Sequence, residues 1–315
     1  YGLESAWQET RTEADVPSLA KHVYGFWRDG PHVSPLWDLV RQRLDSERPL
    51  IVTGIDVRHS GGYPKADVAV ALETHLARHG VTLDPDWQRF RALLDDLLQK
   101  EYGHRVDAND RMRFMEGLVS LRDQVTGSDV GSSFWQQELR NLSWTARNAW
   151  GFEGRDEGMG RNLVWLATER YPGKKIVVWA HNFHIVRSAE ALGAHHPAYA
   201  RALEKYPDTP LGEVAVRELG DAVRSISLVA GRGWHSPYAW RGDTATREEL
   251  SPPPSYSLEA AALDRDMPCG YLDLTSTTQS FAMNGTEHAA LVTAPWGRIF
   301  DGAIYIRDMT GLGEK

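Results

Sequence analysis

Two short apolar runs constrain this chain more than any other feature. RPLIVTGIDV (48–57) and KKIVVWA (174–180) are rich in Val and Ile and lack polar alternation, which predicts strands buried on both faces. Strands of that kind belong to parallel sheets covered by helices. RSISLVAG (224–231), GYLDL (270–274) and FDGAIYI (300–306) are weaker strand candidates, the last two flanked by turn residues. Helical patterns fall between them. In SPLWDLVRQRL (34–44) Ser34 can cap, Pro35 takes the first helical position, and Leu36, Leu39, Val40 and Leu44 form one apolar stripe. TPLGEVAVREL (209–219) repeats the device with Thr209 and Pro210. The opening YGLES reads as the end of a strand, because no cap or turn introduces it, and predicts further residues upstream of Tyr1.

Residues 65–150 show helical periodicity almost throughout. DPDWQRFRALLDDLLQKEY (84–102) sets Trp87, Phe90, Leu93, Leu94 and Leu97 on one side, and DANDRMRFMEGLVSLRDQV (107–125) continues in the same style. REELSPPPSYS (247–257) holds three consecutive prolines and predicts a surface loop. The expected fold class is α/β: a mostly parallel central sheet flanked by helices, with a helical insertion subdomain. Residues 1–64 and 151–315 would form the α/β domain, and 65–150 the insertion packed on it.

Charge narrows the partners. The 315 residues are 42% hydrophobic and 25% charged, with a mean hydropathy of −0.44, an ordinary globular composition. A net charge of −8 and a pI near 5.8 argue against nucleic acid as the main partner, since that binding needs clustered Lys and Arg to neutralise phosphates. No apolar run is long enough to span a bilayer, so no membrane association is expected. Cys269 is the single cysteine, which excludes an internal disulfide and any multi-cysteine zinc site and suits a cytoplasmic location.

In open parallel sheets functional groups collect at the carboxyl ends of strands, and WAHNFHI (179–185) sits at such an end. His181 and His184 would lie about one turn apart if a helix starts there, with Asn182 between them. One reading has the pair capping that helix and packing on the sheet. The other has imidazoles moving protons near neutral pH. Glu4, in GLESAW, falls near the end of the opening strand. Arg155 enters the helix GRDEGMGRNLVWLATERYPG (154–173), in which Arg155, Met159, Asn162, Leu163 and Leu166 follow the helical period. An arginine at a buried edge needs a partner, and Glu4 is the candidate, either as a structural ion pair or as part of a site. Trp7 and Trp234 would suit a broad apolar ligand, although aromatics more often fill cores. The loop GRGWHSPYAWRGD (231–243), with Trp234 and His235, is a candidate for ligand contact, as is Asn182. No Gly-x-Ser-x-Gly elbow is present, which argues against a serine nucleophile on an α/β-hydrolase scaffold.

Taken together, LESAW (3–7), TGIDV (53–57), R-D-x-x-M-x-x-N-L-x-W-L (155–166), KKIVVWAHNFHI (174–185) and FDGAIYIRDMT (300–310) resemble the erythromycin esterase family. The resemblance implies a hydrolase that opens the lactone of a macrolide antibiotic, or a relative that cleaves another ester or amide. It also implies a water activated by histidine, with a glutamate, an arginine and two further histidines completing the pocket. Carried over by position, these are Glu4, Arg155, His181 and His184. The family's Gly-Glu-x-x-His-Gly segment is not found in these residues; RHSGG (58–62) follows TGIDV, in the wrong order, and lacks the glutamate. Two expectations are open here: that segment lies upstream in a working enzyme, or the scaffold serves another task, such as binding a natural product or acting in its biosynthesis. No metal cofactor is expected, the alternative being a metal-dependent hydrolase that uses His181, His184, Glu4 and further ligands. The expected partner is a small-molecule ester or lactone, and Glu4, Arg155, His181 and His184 are expected to line one cleft.

Overall fold

Leu3, Ala6 and Trp7 recur at helical spacing, and the opening segment folds accordingly as α1 (Gly2–Glu9), not as the strand end expected of it. The computed structural model describes residues 2–10, 12–28, 32–61, 65–81, 86–100, 106–127, 129–151, 154–205, 208–236, 246–286 and 291–311. The chain divides into two compact units, Tyr1–Asp29 with Val33–Asn162 and Gly30–His32 with Leu163–Lys315. This division differs from the expected one, because residues 33–64 group with the helical stretch and not with the strands that follow it.

In the first unit α1, α2 (Val16–Lys21), α3 (Gly25–Arg28) and α4 (Ser34–Arg43) precede the segment 51–56, which is in neither helix nor strand. Val33, not Ser34, takes the N-cap position of α4, and Trp37 and Val40 are its buried residues, while Leu39 is 41% exposed. Leu36 and Leu44 of the expected stripe pack against the same core as Val40; only Leu39 departs from it, and the large apolar Trp37 is buried beside them. Next come α5 (Ala66–Arg78), α6 (Trp87–Lys100), α7 (Ala108–Gln124) and α8 (Val130–Gly151), which share one apolar core. Helix α6 buries Trp87, Phe90, Leu93, Leu94 and Leu97, as its spacing predicts, and Leu98 besides. Asp107 caps α7 by accepting hydrogen bonds from the backbone N–H groups of Asn109 and Asp110.

Helix α9 (Arg155–Trp165) runs from the first unit into the second and ends in a π-turn over Leu166–Arg170. The second unit then holds short helices α10 (Ala189–Gly193), α11 (Pro197–Lys205) and α12 (Leu211–Leu219), strands β1 (Ile226–His235) and β2 (Glu248–Glu249), and α13 (Leu258–Asp264). Strands β3 (Cys269–Asp273), β4 (Phe281–Met283) and β5 (Val292–Ala294) follow, then α14 (Trp296–Ile299) and β6 (Gly302–Met309). The principal sheet has the order β2-β1-β6-β3. Among the described strands of this sheet only β1 and β6 pair in parallel, in register from Ile226↔Gly302 to Gly233↔Met309, and β4 pairs with β5 in a separate antiparallel ribbon.

The sheet is therefore mixed, and the expectation of a mostly parallel one does not hold. Neither RPLIVTGIDV nor KKIVVWA forms a ladder among the described residues, and Val177 and Trp179 are 87% and 57% exposed. An apolar run fixes a preference for burial, but sheet pairing depends on a distant segment that periodicity does not reveal. In β1, Ser227, Val229 and Gly231 face inward, and Val229 joins Leu274, Met283, Trp296, Phe300 and Tyr305 in the core of this unit. Among the described residues no helix is long and apolar enough to cross a membrane.

Candidate functional site

In the first unit the segment TGIDVRH (53–59) gains from side chains what a sheet ladder would otherwise supply. Asn162 Nδ2 donates to the carbonyl of Ile55 at 2.8 Å, and Thr145 Oγ1 donates to that of Val57 at 2.6 Å. Thr53 Oγ1 donates to Glu4 Oε2 at 3.0 Å, and Gln8 Nε2 donates to Glu4 Oε1 at 3.1 Å, so both oxygens of this buried carboxylate are engaged. The partner that grips Arg155 is Asp56: Nε donates to Oδ1 at 3.1 Å and Nη2 to Oδ2 at 2.6 Å. Burial acts to raise the Asp56 pKa, but the hydrogen bonds and charge of Arg155, with the Arg58 N–H, outweigh it and hold the carboxyl below its ordinary range. The sequence points to Glu4 as the partner of Arg155; in the structure Asp56, the aspartate of TGIDV, takes that place.

Behind this segment lies a buried polar chain. Gln137 donates to Asn162 Oδ1 at 2.7 Å, Asn162 donates to Asn141 Oδ1 at 2.7 Å, and Asn141 Nδ2 lies 3.4 Å from His59 Nε2. That order makes His59 Nε2 an acceptor, and burial drives its pKa well below the ordinary imidazole value, so the ring is neutral. Glu138 Oε1 lies 3.5 Å from the same nitrogen, and burial raises its carboxyl pKa. The readable signal was on α8 itself, where Gln137, Asn141, Thr145 and Asn148 recur at helical spacing on a buried face.

In the second unit, His181 and His184 sit on a turn, not at a helix start: the N–H of His184 bonds the carbonyl of His181 at 2.9 Å. Their rings are 6.4 Å apart between centroids and inclined at 76°. His181 Nδ1 accepts from the Phe183 N–H at 3.3 Å, which leaves Nε2 to carry the proton of the neutral ring. His181 is exposed, yet desolvation by the surrounding protein, with a smaller contribution from His184, lowers its pKa. The turn is pinned on several sides. Asn182 Nδ2 donates to the carbonyls of Leu228 at 2.9 Å and Gly285 at 3.0 Å, and its Oδ1 accepts the Leu228 N–H at 3.2 Å. The Gly212 N–H bonds the His184 carbonyl at 2.9 Å, Ser225 Oγ donates to the Ile185 carbonyl, and Arg187 pairs with Asp301.

Glu4 and Arg155 thus belong to the first unit, and His181 and His184 to the second. Trp7 packs against the core of α2 and α4. Trp234 is buried beneath the Arg247 guanidinium, 4.2 Å from the ring centroid, and His235 lies opposite Glu248 in the β1–β2 ladder. The first residues of the presumed loop 231–243 therefore extend β1 to His235; residues 237–243 lie outside the described ones. Among the described residues no group of three or more His, Cys, Asp or Glu could hold a metal ion. A cavity of about 500 Å³ in the first unit, lined by Val16, Lys21, Trp37 and Arg41 among others, contains none of the expected site residues.

Three comparisons place these features. The family model described as Erythromycin esterase matches residues 8–311. “Putative hydrolase YbfO” of Bacillus subtilis (strain 168) is 25% identical over 332 aligned positions, covering 93% of this chain and 71% of that protein. Among solved structures, a Bacillus cereus protein superposes with a TM-score of 0.71 at 14% identity, covering 99% of this chain and 78% of that one. A histidine-to-asparagine mutant of the erythromycin esterase EreC, in its open conformation, gives a TM-score of 0.61 at 14% identity, covering 100% and 82%. A succinoglycan biosynthesis protein gives 0.63 at 11% identity, covering 98% and 76%. At these identities the structural likenesses speak for the fold.

Proposed function

This chain belongs to the erythromycin esterase family, and from that premise we propose that it is a hydrolase opening an ester or macrolactone with histidine-activated water. The observation that carries the reading is the imidazole pair of His181 and His184 on a turn held from several sides, within the W-A-H-N-x-H motif. One imidazole takes a proton as the water oxygen bonds to the carbonyl carbon. The carbonyl oxygen, now an oxyanion, is met by an N–H donor, for which His181 Nε2 is the candidate. Collapse breaks the acyl carbon–oxygen bond, and the imidazolium returns its proton to the leaving alkoxide. A macrolide is the substrate class that the family's description suggests.

The test is hydrolysis of erythromycin and a panel of simple esters by the full-length protein and by His181→Ala and His184→Ala. Each substitution is expected to lower kcat by about a hundredfold or more with the fold intact, the scale of losing a general acid or base. Unchanged kcat with a lowered Tm would overturn the reading and leave the two rings as packing residues.

A further inference from the structure

We propose that the cavity among helices α2, α3 and α4 of the first unit binds a small amphipathic anion, an apolar body that ends in a carboxylate or a phosphate. Helix α2 lends it Pro17, Ala20 and Lys21, which share one helix face, and α4 adds Trp37 and Arg41, four residues apart. Arg28, the last residue of α3, lines it too. Val16, Ala20 and Trp37 are buried and make part of the lining apolar, with an aromatic ring for a flat ligand body. Lys21, Arg28 and Arg41 add three positive charges. The volume of about 500 Å³ is that of a small-molecule site, in which a few polar groups orient a ligand on an apolar lining.

The charge of this cavity runs against that of the chain. The sequence carries 43 acidic and 35 basic residues, yet of the described residues that line the cavity three are basic and none is acidic. Lys21 and Arg41 lie in the last turns of α2 and α4, where a cation complements the helix dipole. That effect asks for a charge at each helix end, not for convergence on one cavity, and Arg43 supplies it in the same turn of α4 without being among the lining residues. Bringing like charges together costs free energy, which a bound anion offsets. Arg41 pairs with Asp38 on its own helix, but the two side chains are 37% and 59% exposed, and so open a pair contributes little and can give way to a ligand.

Calorimetric titration of the full-length protein tests this, with 1-naphthylacetate and 1-naphthyl phosphate as anionic probes, 1-naphthylacetamide as the neutral analogue and inorganic phosphate as the anion without a body. At least one naphthyl anion should bind saturably at a single site, and the tighter of the two identifies the head group. Added NaCl should weaken that binding. The amide and inorganic phosphate should bind roughly tenfold more weakly or worse, because each lacks one half of the match. Lys21→Gln and Arg41→Gln are each expected to weaken the anion by roughly tenfold, the scale of one charge-assisted hydrogen bond, and to leave the amide unchanged. Arg43→Gln should leave every probe unchanged. Equal binding of the anion and either the amide or inorganic phosphate would overturn the inference. Equal losses in Arg41→Gln and Arg43→Gln would do the same, since they would mark a diffuse field and not a site, as would the lack of saturable binding by both naphthyl anions.

Discussion

Asn182 spends its whole amide on backbone groups of the second unit, donating to two carbonyls and accepting one N–H. Asn182→Asp would set a carboxylate oxygen against the carbonyls of Leu228 and Gly285, whereas Asn182→Ala only removes the bonds. Both should destabilise the protein to urea, the aspartate more, by about 2–4 kcal/mol, and equal losses would show that the donors are unimportant. His59 carries a second prediction at this scale. Burial depresses its folded pKa, so the unfolded chain binds a proton below about pH 6.5 while the folded one does not. Its contribution is therefore complete above that pH and lost as the pH falls. Glu138, raised by burial, works with the opposite sign and loses its contribution as the pH rises, so the comparison belongs in a Glu138→Gln background. There, lowering the pH from 7.5 to 5.5 should cost a chain with His59 about 1–1.5 kcal/mol more in urea unfolding than one with His59→Gln. Parallel losses would mean that the ring is not held neutral.

Helix α12 approaches the histidine turn so closely that a Cβ at Gly212 would lie 2.2 Å from the Ile185 carbonyl oxygen, and the Gly212 N–H bonds His184. Gly212→Ala must push helix and turn apart, and a loss of about 1–3 kcal/mol in thermal denaturation is expected, with no loss if the helix can tilt freely. Close fits of this kind are invisible in a sequence, where Gly212 is one more small residue in an amphipathic helix. Helices were otherwise legible: the stripe of α6 was readable in full, and that of α4 at Leu36, Val40 and Leu44 but not at Leu39, while Trp37 is buried besides. β1, β3 and β6 were legible as apolar runs, but which runs pair was not, and the two most apolar runs stayed outside the ladders.

For the molecule as a whole, the hydrolase reading requires no metal, and prolonged chelation of the full-length protein should leave ester hydrolysis unaltered; loss of activity restored by zinc would favour the metal-dependent alternative. The sequence by itself determined the family, through motifs spread along the chain, and the helical content of residues 65–150, because helical periodicity and short motifs are local properties. It also marked Glu4, Arg155, His181 and His184 as chemically unusual for their positions. Only the tertiary structure decided that Asp56 grips Arg155 across 99 positions of chain, that His59 lies beside Glu138, and that Asn182 ties the histidine turn to β1. Those pairings are set by the packing of distant segments around buried polar groups, each of which must find a partner once water is excluded, and residue order alone does not say which partner that is.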